Sequence, residues 1–338
     1  MSIPVLICDD SALARKQMAR ALPSGWDTDV RFAGNGEEAL EMIRQGLGHV
    51  LFLDLNMPGM SGLEVLDVIR KEDLPTSVLV VSGDVQSSVR QQVTRKGALD
   101  FISKPLDPGQ LLTTLRRFGL IDRLSSIPAK SDIDTRLPQE ISFHEAFREV
   151  INVAMGQAGG RLGQTLNSFI GMPVPIIHDC LYGELAVKLE CSSHARLSAV
   201  SQGFGSLGVA GEALLLMSED DLEKTEPADS YPESATDVPV GKLIDLCSLL
   251  AGSCLIGISE QLDLQFNHTA PTLLDRDQPL AELLGEQARD RDVLAVEITY
   301  SLLNQSACHL VLLFTGDSIP VLQDRTMMLD ETITPAAG

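Results

Sequence analysis

Short apolar runs and amphipathic stretches alternate through the first third of the chain. Residues 4–8, 49–53, 77–81 and 100–102 are almost wholly apolar, which predicts buried strands. Residues 11–22, 36–45, 62–71, 85–96 and 108–118 repeat apolar positions every three or four residues, which predicts helices. Strand then helix, several times over, predicts a parallel α/β sheet with helices on both faces. Sheets of this kind carry their working site beyond the carboxyl ends of the strands.

The residues that follow each predicted strand can be read against that rule. Asp9 and Asp10 follow the first, Asp54 and then Asn56 the next, Ser82 and Asp84 another, and Lys104-Pro105 the last. One edge thus gathers carboxylates, a hydroxyl and an ammonium. Crowded carboxylates repel one another and call for a counter-cation. Oxygen donors with open positions suit Mg2+, which keeps waters and shares phosphate oxygens. Lys104 and Ser82 are the donors for remaining phosphate oxygens.

These residues resemble the receiver domain of two-component response regulators over residues 3 to 122. The resemblance is carried by Asp9-Asp10, Asp54 in Leu-Asp-Leu-Asn-Met-Pro-Gly-Met-Ser-Gly, Ser82, Phe101 and Lys104-Pro105. It implies a flavodoxin-like, doubly wound fold that accepts a phosphoryl group on Asp54 from a histidine kinase. It further implies that Asp10, Asp54 and the backbone carbonyl of Asn56 hold Mg2+, with Asp9 acting through water. Ser82 and Phe101 are implied as a switch pair, and Asn56 and Asp84 as residues that tune self-dephosphorylation.

The charge changes partway along the chain. The whole carries 26 basic and 47 acidic side chains, a net of −21, of which residues 1–124 hold −2 and residues 125–338 hold −19. This disfavours nucleic acid as a partner, because a polyanion is bound by Lys and Arg. The change falls in a Pro- and Ser-containing stretch without helical period, so the expected organisation is a domain over 1–123, a linker over 124–139 and a second domain over 140–338. No apolar run reaches a membrane span, and the start of the chain lacks the basic, apolar pattern of a signal peptide, so a cytoplasmic protein without membrane insertion is expected. The six cysteines include no C-x-x-C pair and are expected reduced. With 44% hydrophobic residues there is material for two cores.

The second domain opens on a helical pattern in which Ser142 and Glu145 fit a capping box. Glu145, Glu149 and Asn152 fall within roughly 60° on one stripe of that helix. The pattern then repeats. Twenty-two residues separate Asn152 from Pro175, and twenty-two separate Ser248 from Pro271, where Asp245 and Ser248 keep the spacing of Glu149 and Asn152. Strand-like segments follow each copy, at 184–190, 196–201 and 212–217 in one and at 293–302 and 309–315 in the other. An α+β domain with an internal pseudo-twofold duplication is expected.

Glu145, Glu149, Asn152 and Pro175 match the signature of the CheC/CheX/FliY chemotaxis phosphatases, which this stretch resembles. The resemblance implies hydrolysis of the acyl phosphate on a receiver aspartate. Asn152 would orient the attacking water and Glu149 would pair with the Lys of the receiver pocket, so both are expected to be offered outward. The second copy departs from the signature: Asp245 is shorter than Glu, Ser248 lacks the amide, and Gly241 stands where the first acid would be. It is expected to be degenerate. The target receiver is left open between a free CheY-like protein and the chain's own Asp54, in cis or in a homodimer. The alternative is a non-catalytic, phosphorylation-switched adaptor for chemotaxis or other signalling partners.

Overall fold

The computed structural model describes residues 2–121, 141–190, 196–224, 238–285, 290–302 and 306–329. The expected linker over 124–139 lies outside them. Of the described residues, those up to Glu149 and those from Thr326 onward form one compact unit, and Val150–Arg325 form the other.

In the first unit, strands β1 (Ile3–Cys8), β2 (Thr28–Ala33), β3 (Val50–Leu53), β4 (Ser77–Ser82) and β5 (Asp100–Ser103) form a sheet in the order β2-β1-β3-β4-β5. Every pairing is parallel. Helices α1 (Ala12–Ala21), α2 (Gly36–Arg44), α3 (Gly62–Lys71) and α4 (Ser87–Arg95) connect the strands, and α5 (Pro108–Arg117) follows β5. Alternate strand residues feed two cores. Leu6, Leu51, Leu53 and Val80 face one layer, and Val5, Ile7, Phe52 and Leu79 face the other. Burial on both faces explains why these strands read as unbroken apolar runs.

Local signals set the helix starts. Ser11 caps α1, Asn35 caps α2, Asp107 caps α5 ahead of Pro108, and Ser61 forms a capping box with Glu64 at α3. The sequence pattern did not give β2. Its Thr28, Asp29 and Arg31 are half-buried at the sheet edge, so it lacks the apolar run of a central strand.

The next helix, α6 (Phe143–Thr165), starts in the first unit and runs into the second. Ser142 Oγ accepts the Glu145 N–H at 3.2 Å, which is half of the expected capping box. The second unit then contains β6 (Ile176–Leu181), α7 (Leu185–Lys188), β7 (Leu197–Ser206), β8 (Val209–Met217), α8 (Glu219–Lys224), α9 (Val238–Leu262), β9 (Asn267–His268), β10 (Thr272–Gln278), α10 (Leu280–Leu284), β11 (Asp292–Ser301) and β12 (Ala307–Thr315). Helix α11 (Ile319–Met328) closes the described chain. The strands form an antiparallel sheet in the order β10-β7-β8-β12-β11-β6, with β9 beside β7. Residues 184–190, expected as a strand, include α7 instead. Leu185 and Leu189 are buried while Val187 between them is exposed, so burial does not follow the two-residue period of a strand.

Helix α9 lies on this sheet, and small side chains let it approach. Cys247 bonds the backbone of Leu215, and Cys254 Sγ lies 3.3 Å from the Tyr300 hydroxyl. At Gly257 an added Cβ would meet the Ala154 Cα of α6 at 2.7 Å, so the two long helices cross where neither carries bulk. Within α9, Val240–Leu262 is long and apolar enough to cross a membrane, although Lys242, Asp245 and Glu260 interrupt its apolar run. Leu243, Leu250, Ala251, Cys254 and Ile258 are buried within the protein, as expected of a core helix that is apolar on most sides. The described cysteines are free, and Cys191 lies outside the described residues.

Candidate functional site

The carboxyl ends of β1, β3, β4 and β5 bring their acids and cation together. Ligand oxygens of Asp9, Asp10 and Asp54 lie within 4.8 Å of one another, a spacing able to hold a metal ion. Lys104 Nζ donates to Asp9 Oδ2 at 2.8 Å and stands 3.3 Å from Asp54 Oδ1. Backbone N–H groups fix the carboxylates: Ser11 donates to Asp9 Oδ1 at 2.9 Å, and Asn56 to Asp54 Oδ2 at 2.9 Å. Arg15 Nη1 donates to the Asp9 carbonyl at 2.6 Å. Gly62 makes the corner possible, because a Cβ there would stand 2.2 Å from the Asp54 carbonyl oxygen.

The electrostatics follow from burial. Removal from water pushes the Asp10 carboxyl up to about 6, with Asp9 adding to the shift and Lys104 opposing it. Burial raises Asp54 as well, against the pull of Lys104. Burial alone would lower the Lys104 ammonium, but Asp54, Asp9 and Glu149 face it and hold it well above its ordinary value.

The other predicted residues of this edge sit around the acids. Ser82 is fully buried at the end of β4 and its Oγ accepts the Asp84 N–H at 3.3 Å. Asp84 in turn accepts the Gln86 backbone N–H at 3.1 Å. Phe101 is buried in the core layer of Leu6, Leu51, Leu53 and Val80, with the Arg90 guanidinium 4.7 Å from its ring centre.

The predicted ridge on α6 differs from its expectation. Glu149 and Asn152, expected to face outward, are only 4% and 8% exposed. Glu149 Oε1 lies 2.8 Å from Lys104 Nζ, so that ammonium is shared among Asp9, Asp54 and Glu149. Burial raises the Glu149 carboxyl, and Lys104 offsets part of the rise. Glu149 Oε2 and Asn152 Oδ1 are buried without a hydrogen-bond partner. Glu145, expected to reach back to its own cap, instead accepts the Ala12 N–H of α1 at 2.8 Å. The sequence carried no signal for this contact, which joins residues 133 positions apart.

The second copy is arranged otherwise. Asp245 and Ser248 are exposed on α9, and Ser248 Oγ donates to the Ile244 carbonyl of its own helix at 3.0 Å. Pro175 and Pro271 each stand directly before a strand, β6 and β10.

Residues 5–116 match the family described as the response regulator receiver domain. The chain is 38% identical over 103 residues to the probable transcriptional regulatory protein NarL of Mycobacterium tuberculosis (strain CDC 1551 / Oshkosh), covering 30% of this chain and 48% of NarL. The chain spans about half the length of this curated relative. Among solved structures, it is similar to Thermotoga maritima FliY, with a TM-score of 0.42 and 15% identity over 55% of this chain and 96% of that one. It is also similar to a chain of the CheX–CheY–BeF3–Mg2+ complex from Borrelia burgdorferi, with a TM-score of 0.32 and 30% identity over 34% of this chain and 87% of that one.

Proposed function

With residues 5–116 forming a response regulator receiver domain, and so a two-component signalling module, we propose that the chain couples a phosphoacceptor Asp54 to a CheC-like aspartyl-phosphate phosphatase domain. A histidine kinase supplies the phosphoryl group, and chemotaxis is the setting that the CheC-like signature favours. The observation that carries this reading is the 2.8 Å pair between Glu149 and Lys104 inside the acid pocket. A helix residue chosen for its place in the phosphatase signature meets the cation chosen for its place in the receiver signature.

The donor set fits Mg2+. Asp9, Asp10 and Asp54 offer only oxygen atoms, close together, in a setting that raises the proton affinity of Asp10 and Asp54 and that a divalent cation would relieve. Asp10, Asp54 and the Asn56 carbonyl would hold it, with Asp9 acting through water. When bound, the cation supplies charge neutralisation for phosphoryl oxygens. Lys104 supplies a further positive charge. Glu149 orients that ammonium, and Asn152, one turn further along α6, orients the attacking water with its amide. Positioning is sufficient chemistry here, because phosphoryl transfer asks little covalent work of the protein.

The duplication belongs to this reading. Exchanging β6 with β10, β7 with β11 and β8 with β12 returns the same strand order reversed, and each copy opens on a long helix followed by Pro and a strand. Both features support two related halves, of which only the first keeps Glu and Asn.

The burial of Glu149 and Asn152 favours a second reading, a phosphorylation-switched adaptor that binds without hydrolysing. Both readings are tested by following phosphate release from a panel of phosphorylated receivers, the chain's own included. Shortened phosphate lifetimes uphold the phosphatase. Binding with unchanged lifetimes on every receiver, its own among them, selects the adaptor.

A further inference from the structure

We propose that the aspartyl phosphate this domain hydrolyses is that of its own Asp54, within one molecule; the inference rests on the phosphatase reading and names its substrate. Residues 141–149 belong to the same compact unit as the receiver. They dock on it through three kinds of contact. Glu145 Oε1 accepts the N–H of Ala12, the first residue of α1. Ile141 and Ala146 share an apolar cluster with Ala12 and Leu13. Glu149 reaches the pocket ammonium of Lys104. A hydrogen bond, an apolar seat and an ion pair thus hold the signature helix on its own receiver's active edge.

The burial argues the same way. A ridge serving free receivers would leave its carboxylate in water, and Glu149 is 4% exposed with Lys104 at 9%. A docked segment on the same chain also works at an effective concentration in the millimolar range, above that of a dilute partner. Glu149 Oε2 is buried without a partner, as is Asn152 Oδ1 one turn on, so both carry unused hydrogen-bonding capacity. In the reaction, a water oxygen bonds to phosphorus as the P–O bond to Asp54 breaks. Asp54 regains its carboxylate, and both protons of the water leave with inorganic phosphate.

The test loads the full-length chain at Asp54 with acetyl phosphate and Mg2+, removes the donor and follows phosphate release. The proposal expects a first-order rate constant that is unchanged on hundredfold dilution. It also expects that a phosphorylated Asn152→Ala chain keeps its phosphate when an Asp54→Asn chain with intact α6 is added. Glu145→Ala should slow release about tenfold, the size of one lost charge-assisted bond. Glu145→Gln should restore the rate, because its amide oxygen accepts the same Ala12 N–H. A rate that rises with concentration, clearance by the added Asp54→Asn chain, or an unaltered Glu145→Ala rate would overturn the intramolecular proposal alone. Equal lifetimes for wild type and Asn152→Ala would overturn the phosphatase reading beneath it.

Discussion

Helices α6 and α9 carry acid and polar residues at the same spacing, and the protein treats them differently. On α6, Glu149 is buried against Lys104, and Asn152 is buried with an unpartnered oxygen. On α9, Asp245 and Ser248 face water, and Ser248 satisfies its hydroxyl on its own helix. A shared spacing therefore does not make two sites. What separates them is whether the carboxylate meets a buried cation, since a charge taken out of water persists only when it is paired. Helix α9 answers instead to packing, through its Cys and Gly residues against β8, β11 and α6.

If α9 is the scaffold helix, bulk at its crossing point should hurt most. Gly257→Val would drive methyl groups into the Ala154 backbone of α6 and is expected to destabilise the fold by about 1–3 kcal/mol, read as a lower denaturant midpoint. If α6 is the chemical helix, Glu149→Gln should lengthen the life of a phosphoryl group on Asp54 about tenfold, the equivalent of about 1.4 kcal/mol. That substitution keeps an acceptor oxygen but loses the charge facing Lys104. Gly252 of α9 has open space around it, so Gly252→Ala should stabilise the protein by about 0.5–1 kcal/mol, the helix-propensity gain of Ala over Gly. The smallest effect belongs to the exposed copy. Asp245→Asn should move stability by no more than about 0.5 kcal/mol and leave phosphate lifetime unchanged. A lifetime change there equal to that of Glu149→Gln would erase the distinction between the helices.

The sequence made much of this visible, and the gaps have physical causes. The buried strands β1, β3, β4 and β5 and their terminal Asp9, Asp54, Ser82 and Lys104 were legible because central strands are continuously apolar and their ends gather function. Edge strand β2 was not, because half-solvated strands admit Asp29 and Arg31. Residues 184–190 looked like a strand because Leu185 and Leu189 fit either reading over so short a stretch. The spacing of Glu145, Glu149 and Asn152 was legible, but their surroundings were not. Local periodicity assigns a stripe of polar residues to solvent, and here Glu145 accepts the Ala12 N–H of α1 while Glu149 finds Lys104. Pairings between distant parts of the chain leave no local trace.

The most direct measurement is the single-turnover lifetime of the Asp54 phosphoryl group in wild type and in Asn152→Ala, each loaded with Mg2+ and acetyl phosphate. If the Asn152 amide orients the attacking water, its loss should lengthen that lifetime about 100-fold, the scale of a misplaced nucleophile. Indistinguishable lifetimes in the two proteins would contradict a hydrolytic role for α6.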